Sequence, residues 1–371
     1  MTISLPSPKK KVVIFQGSDF KAKLWKKHNN EENIIILIKG SRIVFGIKVI
    51  KELFKQRKND ATVIFRYLND YKQLWKSITL FLSEVCLIKI LILIKIDIYW
   101  ICHNIDRETQ TNFDKLLSFR RNLIVRNAKY IFVTDKMLDI YAKQIFKSFS
   151  TKIRYTNFGK YYPDEMKEYK LSKTEYLVEN NEINYYKNID KQKLLFLMSP
   201  LKRRYDYVGF CAGKYSSKKI YFKELINFIK TSKYFKINLC VVVVSDLRQK
   251  NNKYLFDFLK NNKQIIFINN LMSFDEYELS NYFDFYWIGY DDISIPYSVY
   301  TAASIKKPLI CYNIGVLPQV IKKYKIGEVM DKDYSNLKGI FNKINSKTYL
   351  YDKFLIEHRW QNGIDKIINV N

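Results

Sequence analysis

Short runs of β-branched and aromatic residues alternate with longer amphipathic stretches from one end of the chain to the other. Runs at 11–16, 33–38, 62–67, 96–103, 129–134 and 152–156 are bounded by polar or turn-forming residues, which predicts strands. Between them, apolar positions recur with helical spacing at 43–57, 71–94, 109–126 and 136–146. The rhythm lapses over 159–206, a stretch rich in Lys, Glu, Asn and Tyr with one apolar patch at 194–198. It then restarts, with strands predicted at 207–212, 237–244, 264–268, 283–288, 308–312 and 327–330 and helices at 218–230, 252–260, 299–306 and 317–323.

Strands alternating with helices imply parallel sheets covered on both faces, and the run Val241-Val242-Val243-Val244 suits a central strand of such a sheet. The expected fold class is therefore α/β, with two tandem Rossmann-like doubly wound domains and an interdomain cleft. The boundaries follow from the lapse. Residues 1–160 form the first domain, 161–206 a linker or irregular insertion, and 207–350 the second domain. The tail 351–371 carries a helical pattern at 355–368 with Arg359-Trp360, expected to pack back on the first domain. A length of 371 residues suits two cores, and 47% hydrophobic residues supply them, which excludes large-scale disorder.

Charge adds a choice of partners. Lys and Arg number 64 against 36 Asp and Glu, a net charge of +28 that draws a protein toward nucleic acid, anionic lipid or phosphorylated small molecules. Part of this excess is compositional, since Lys, Asn, Ile and Tyr are abundant throughout. No arginine-rich tail or basic-aromatic RNA-reading motif is present, so nucleic acid is not an expected partner. The five cysteines are scattered without CxxC spacing, which favours reduced buried thiols in a cytoplasmic protein over zinc or disulfides. The start, Met1 to Lys11, lacks the apolar region of a signal peptide. The apolar segment 74–98 is broken by Glu84, Lys89 and Lys95, too often to span a bilayer. It fits a core helix, with an edge carrying Trp75, Phe81 and lysines that suits the inner-membrane surface.

Candidate chemistry sits where predicted strands end. Trp100-Ile101-Cys102-His103-Asn104 runs from an apolar strand into a polar turn, so His103, one of 3 histidines, lies where open α/β sheets place reactive groups. Gly17 follows the first strand, and Gly213 with Lys214, Lys218 and Lys219 follows the first strand of the second domain. Glycine there lets backbone approach a ligand, and the lysines could neutralise a diphosphate. A third cluster, from Tyr290 through Ser298, Val299, Tyr300 and Thr301, leads from an aromatic strand through a polar loop into a helix with small residues at its start.

These segments together resemble the GT-B glycosyltransferases, in particular the large bacterial retaining group (family 4, group 1) that builds surface polysaccharides. Trp100 to Asn104 looks like that family's Trp-x-x-His-Asn strand end, and 128–135 like its next strand ending in Thr or Ser. Gly213 with Lys218 and Lys219 is similar to its donor-diphosphate positions, and 298–308 with Gly315 and Pro318 to its donor-binding helix, strand and loop. The resemblance implies a nucleotide-sugar donor on the second domain, an acceptor on the first, and no cofactor or metal. The family's two glutamates, eight positions apart, correspond to Ile293 and Thr301, neither of which is a carboxylate, so donor type and stereochemical outcome stay open.

The expected activity is hexosyltransferase-like transfer from a nucleotide sugar to a lipid-linked or polysaccharide acceptor in cell-surface glycan synthesis, at the cytoplasmic face of the membrane. His103 would contact the reacting sugar or act as base toward the acceptor hydroxyl. Gly213, Lys214, Lys218, Lys219, Tyr290, Ser298, Val299, Tyr300 and Thr301 would hold the donor, and Gly17, Arg66, Asp70, Asn104 and Glu108 would line the acceptor side. The alternative is a non-catalytic membrane-associated or nucleic-acid-binding protein on a degenerate form of this scaffold. An epimerase of the same plan would need cleft carboxylates, and the sequence offers no clear set.

Overall fold

The computed structural model describes residues 11–30, 33–56, 61–106, 112–162, 185–187, 191–214, 222–246, 258, 262–269, 276–290 and 293–370. Contacts divide the chain into two units. Unit 1 comprises Met1–Gly159 and His358–Asn371, and unit 2 Lys160–Glu357.

Unit 1 holds a six-stranded sheet in the order β2-β1-β3-β4-β5-β6. Its strands are β1 (Val12–Gln16), β2 (Ile34–Ile38), β3 (Ala61–Phe65), β4 (Asp97–Cys102), β5 (Tyr130–Val133) and β6 (Ile153–Tyr155). All neighbours pair in parallel, so every connection crosses over, and helices do the crossing. β1 and β3 are buried along their whole length, the consequence of helices on both faces. All six strands stand within a residue or two of the positions predicted from the apolar runs.

Helix Leu74–Leu93 is the longest of unit 1 and packs against helices Phe45–Gln56 and Asp114–Asn127. Its buried stripe runs Ser77, Leu80, Glu84, Leu87, Ile88 and Leu91. Glu84 is paired there with Arg120, whose Nε and Nη2 donate to the carboxylate at 2.7 and 2.8 Å.

The C-terminal segment completes unit 1. The helical pattern at 355–368 is broken into two helices, Tyr351–Glu357 in unit 2 and Trp360–Ile368 in unit 1, with Arg359 extended between them. The break has a cause in side-chain chemistry. Asn157 Nδ2 donates to the Arg359 carbonyl at 2.8 Å, Thr156 Oγ1 to the Gly363 carbonyl at 2.8 Å, and Lys366 Nζ to Asn157 Oδ1 at 2.7 Å. His358 Nε2 lies 2.7 Å from Asp135 Oδ2. At Gly363 any Cβ would overlap the Asn157 carbonyl, so only glycine lets the helix lie this close.

Unit 2 holds a seven-stranded parallel sheet, in the order β13-β12-β11-β8-β9-β10-β7. Its strands are β7 (Tyr185–Lys187), β8 (Tyr207–Lys214), β9 (Leu239–Asp246), β10 (Ile265–Asn269), β11 (Phe285–Ile288), β12 (Leu309–Tyr312) and β13 (Gly327–Met330). β9, with the four valines, is central and fully buried there. One face of the sheet packs Phe285 and Trp287 against Phe228 and Phe341.

The stretch 161–206 contains regular structure that its polar composition hides. β7 adds in parallel to β10, and helices Lys191–Met198 and Leu201–Arg204 lead into β8. Leu194, Met198 and Leu201 are the residues that anchor them. The helix predicted at 252–260 lies almost wholly outside the described residues.

Candidate functional site

In unit 1, the carboxyl ends of β1, β3 and β4 and the chain following β6 gather one cluster. Gly17 leaves β1 with φ +85°, a left-handed turn that glycine adopts without strain. The turn brings Asp19 to the N-cap of helix Phe20–Lys27, where its carboxylate accepts from Ala22 N at 3.1 Å. Arg66, just past β3, donates from both terminal nitrogens to the same carboxylate, at 2.9 and 3.2 Å. Tyr67 donates its hydroxyl to Asp19 at 2.6 Å. Gln16 Oε1 accepts the amides of Arg66 and Tyr67 at 2.8 and 3.0 Å, locking β1 to the chain beyond β3.

Burial alone would push the Asp19 carboxyl up, but Arg66, the Tyr67 hydroxyl, the Ala22 amide and Lys21 together hold it well below the usual carboxylate range. Arg66 is fully buried and remains a cation, because Tyr67 and Asp19 outweigh its desolvation.

His103 follows β4 into this cluster. The Tyr67 ring stacks on its imidazole at 4.7 Å with 12° between planes, and Phe158 stacks at 6.0 Å and 10°. Lys21 Nζ lies 4.2 Å from the Phe158 ring centre. The two stacked rings fix the imidazole plane, and its Nε2 is buried within the cluster. The chain thus presents an oriented, half-buried imidazole with Lys21 beside the same Phe158 ring.

Of the acceptor-side residues expected from sequence, Gly17, Arg66 and Asn104 lie at these strand ends together with His103. Arg66 is a fully buried support, holding Asp19. Asp70 is used elsewhere. Its carboxylate accepts the Asn112 and Phe113 amides at 3.1 and 2.9 Å and faces Arg120 at 3.5 Å, which fixes the entry to helix Asp114–Asn127. Glu108 lies outside the described residues. Asp19, Lys21, Tyr67 and Phe158 were missed. Asp19 carries an N-cap signal two residues after Gly17, but nothing local marks Phe158, which arrives from β6.

In unit 2, β8 ends at Gly213 and Lys214, and Lys218 and Lys219 lie outside the described residues. Tyr290 follows β11, and the polar loop leads to helix Tyr297–Ser304. Its N-cap is Pro296, which has no side-chain oxygen to offer the first-turn amides. Ser298 is half-buried, whereas Val299, Tyr300 and Thr301 are buried in packing. Thr301 Oγ1 donates back to the Tyr297 carbonyl at 3.4 Å, and Tyr300 packs on Phe354 with ring centres 5.2 Å apart. The helix packs there on helix Tyr351–Glu357.

The structure also brings in a carboxylate that sequence reasoning overlooked. Glu276 accepts a hydrogen bond from the Tyr161 hydroxyl, and Tyr161 stacks with Tyr277 at 6.0 Å. Burial first, then Glu276, push the Tyr286 and Tyr297 hydroxyls well above their ordinary range, so both remain protonated donors. Tyr161 N donates to Ser304 Oγ at 2.9 Å, tying this tyrosine group to the helix Tyr297–Ser304. No group of three potential metal ligands gathers among the described residues.

Two tandem doubly wound parallel sheets, each with its polar groups at strand ends, constitute the GT-B architecture of glycosyltransferases, and the chain has that fold. It is similar over 97% of its length, and 97% of the other's, to a glycosyltransferase from Rickettsia africae, at 12% identity and a TM-score of 0.57. It also resembles the E. coli trehalose-6-phosphate protein bound with UDP-2-fluoro glucose, covering 97% and 98% of the two chains at 7% identity and a TM-score of 0.62. The catalytic domain of starch synthase IV from Arabidopsis thaliana, bound to ADP and acarbose, matches over 98% and 96% at 10% identity and a TM-score of 0.52. No family model and no curated protein matches the sequence.

Proposed function

We propose that the protein is a glycosyltransferase that takes a sugar from a nucleotide-sugar donor. The observation that carries this reading is His103, held by Tyr67 and Phe158 at the carboxyl end of the unit 1 sheet in a chain with the GT-B fold. Unit 2 would bind the donor, with the β8 end at Gly213 and Lys214, then Lys218 and Lys219, neutralising the diphosphate. Tyr290 and Ser298 would complete that side. Stabilising the departing nucleoside diphosphate by fixed cations and amides lowers the barrier without metal chemistry from these residues. Solved structures of this fold hold UDP-2-fluoro glucose or ADP, which supports a donor of that class.

In unit 1, His103 would accept the proton of the attacking hydroxyl or contact the reacting sugar. Gly17, Asn104 and Lys21 would border the acceptor, while Asp19 and Arg66 position Tyr67 and so His103. The acceptor in this reading is a lipid-linked or polysaccharide glycan at the cytoplasmic face of a membrane. Glu276 would supply the donor-side carboxylate that Ile293 and Thr301 cannot.

The test is a thermal-shift and hydrolysis screen of the full chain against UDP-, GDP- and ADP-sugars. A donor that binds raises the melting temperature by mass action. His103→Ala should leave that shift intact and abolish turnover, whereas Lys219→Ala should weaken the shift itself. No shift and no hydrolysis with any donor, alongside salt-sensitive binding to RNA or DNA, would favour the non-catalytic alternative.

A further inference from the structure

Helix Leu74–Leu93 is apolar on two opposite faces. One face is the core stripe described above. The other runs Trp75, Ile78, Leu82, Cys86, Ile90 and Leu93, steps of three or four residues that form a second stripe along the helix. These side chains are exposed, Trp75 at 63% and Leu93 at 81%. Twenty helical residues make a stripe about 30 Å long. A helix apolar all round is expected to be buried all round, so an exposed stripe of this length marks an interaction surface.

The charges around it select the partner. The helix's one acid, Glu84, is turned inward onto Arg120. Lys72, Lys89 and Lys95 are exposed at its ends and along its outer face, and Lys76 Nζ lies 5.2 Å from the Trp75 ring centre. The neighbouring helix Phe45–Gln56 presents Ile47 and Phe54 exposed beside Lys48, Lys51 and Lys55. Apolar side chains interleaved with lysines, with an indole near one end, match the interface of an anionic bilayer. No helix among the described residues is long and apolar enough to cross a membrane, so this one would lie along the surface.

We infer that the outer faces of helices Leu74–Leu93 and Phe45–Gln56 dock unit 1 on a bilayer of anionic lipid. The inference rests on none of the donor chemistry, and its test needs no sugar nucleotide. The reporters are already in place. Trp75 is exposed while Trp25, Trp100, Trp287 and Trp360 are at most 2% exposed. Cys86, on the same stripe, is exposed while Cys102, Cys211, Cys240 and Cys311 are buried.

The experiment mixes the 371-residue chain with vesicles of phosphatidylcholine, with and without about one-third phosphatidylglycerol. Docking predicts co-flotation with the anionic vesicles only, weakened by salt. Brominated lipid should quench Trp75, and a polarity-sensitive dye on Cys86 should shift to the blue. The double variant Leu82→Glu, Leu93→Glu should bind at least about a hundredfold more weakly, since each of the two buried leucines lost costs about one decade or more, with the same melting temperature. Equal binding of wild type and double variant would overturn the proposal, as would equal binding to neutral vesicles. So would a wild type that ignores vesicles and dimerises through this stripe, with the variant monomeric.

Discussion

Replacing Arg120 by methionine tests whether the ion pair under helix Leu74–Leu93 holds the outer stripe in place. Arg120 and the carboxylate of Glu84 are essentially inaccessible, and the guanidinium makes two charged hydrogen bonds to Glu84 and one to the Leu68 carbonyl at 2.7 Å. Methionine fills similar volume but leaves the buried carboxylates of Glu84 and, at 3.5 Å, Asp70 without their cation and a buried carbonyl without its donor. Breaking a buried pair in this way costs about 3–5 kcal/mol. With a urea m-value of about 2 kcal/mol per molar, the unit 1 transition should move down by about 1.5–2.5 M. Tryptophan fluorescence reports mainly on it, because Trp25, Trp75, Trp100 and Trp360 belong to unit 1 and Trp287 to unit 2. Adding Glu84→Leu to Arg120→Met removes the more closely paired of the two charges, while Asp70 keeps the Asn112 and Phe113 amides, so the double variant should recover part of the loss, by roughly 1–3 kcal/mol relative to additivity. A midpoint shift below about 0.3 M for the single variant, or strict additivity in the double, would refute the argument.

Asp19→Asn keeps the helix cap but leaves Arg66 buried without an anion, costing about 1–3 kcal/mol after discounting for the partial exposure of Asp19. Because the folded carboxyl lies below its unfolded value, the wild type's advantage is complete above about pH 4 and fades as acid titrates the folded group, which paired pH-dependent urea melts would show. Lys307 has the opposite sense: burial, then Lys202, push its amine down to about 8, against the pull of Asp284. The fold is penalised below about pH 8 and relieved as pH rises toward the unfolded value, so Lys307→Met should be stabilising at neutral pH and lose that advantage near pH 10, read by thermal melts. Gly363→Ala would drive a Cβ into the Asn157 carbonyl and against Trp25 Nε1, and should cost about 1–3 kcal/mol or more in unit 1 while the unit 2 transition stays put.

The strands were legible because parallel sheets bury both faces, and a buried strand is a run of apolar residues whatever its neighbours do. β7 escaped notice since its three residues need pair with β10 alone, and the surrounding composition is polar. The helix break before Trp360 was invisible for a different reason. The pattern 355–368 is amphipathic throughout, and what interrupts it is Asn157, some two hundred residues earlier, capturing the Arg359 carbonyl. At the candidate site, the residues at strand ends could be named, because strand ends are where the chain turns polar. Their roles could not, since those depend on partners. Arg66 is engaged by Asp19, and Asp70 by two backbone amides, pairings that no local pattern marks.

Helix Leu74–Leu93 makes the same distinction from the other side. Its sequence allowed two environments, core or membrane surface, and a periodicity argument must choose one because it assumes a single apolar stripe. The structure shows two stripes, and the inner one accounts for only a minority of the apolar residues, Leu80, Leu87, Ile88 and Leu91. Glu84 decides which face is inner: a lone acid can be buried only where Arg120 meets it, so the helix has one rotation about its axis that satisfies the charge. That rotation leaves Trp75, Leu82 and Leu93 outward with lysines at the rim. The buried ion pair and the exposed apolar face are therefore one feature of the fold, and Arg120→Met should loosen vesicle binding in the same step as it loosens the helix.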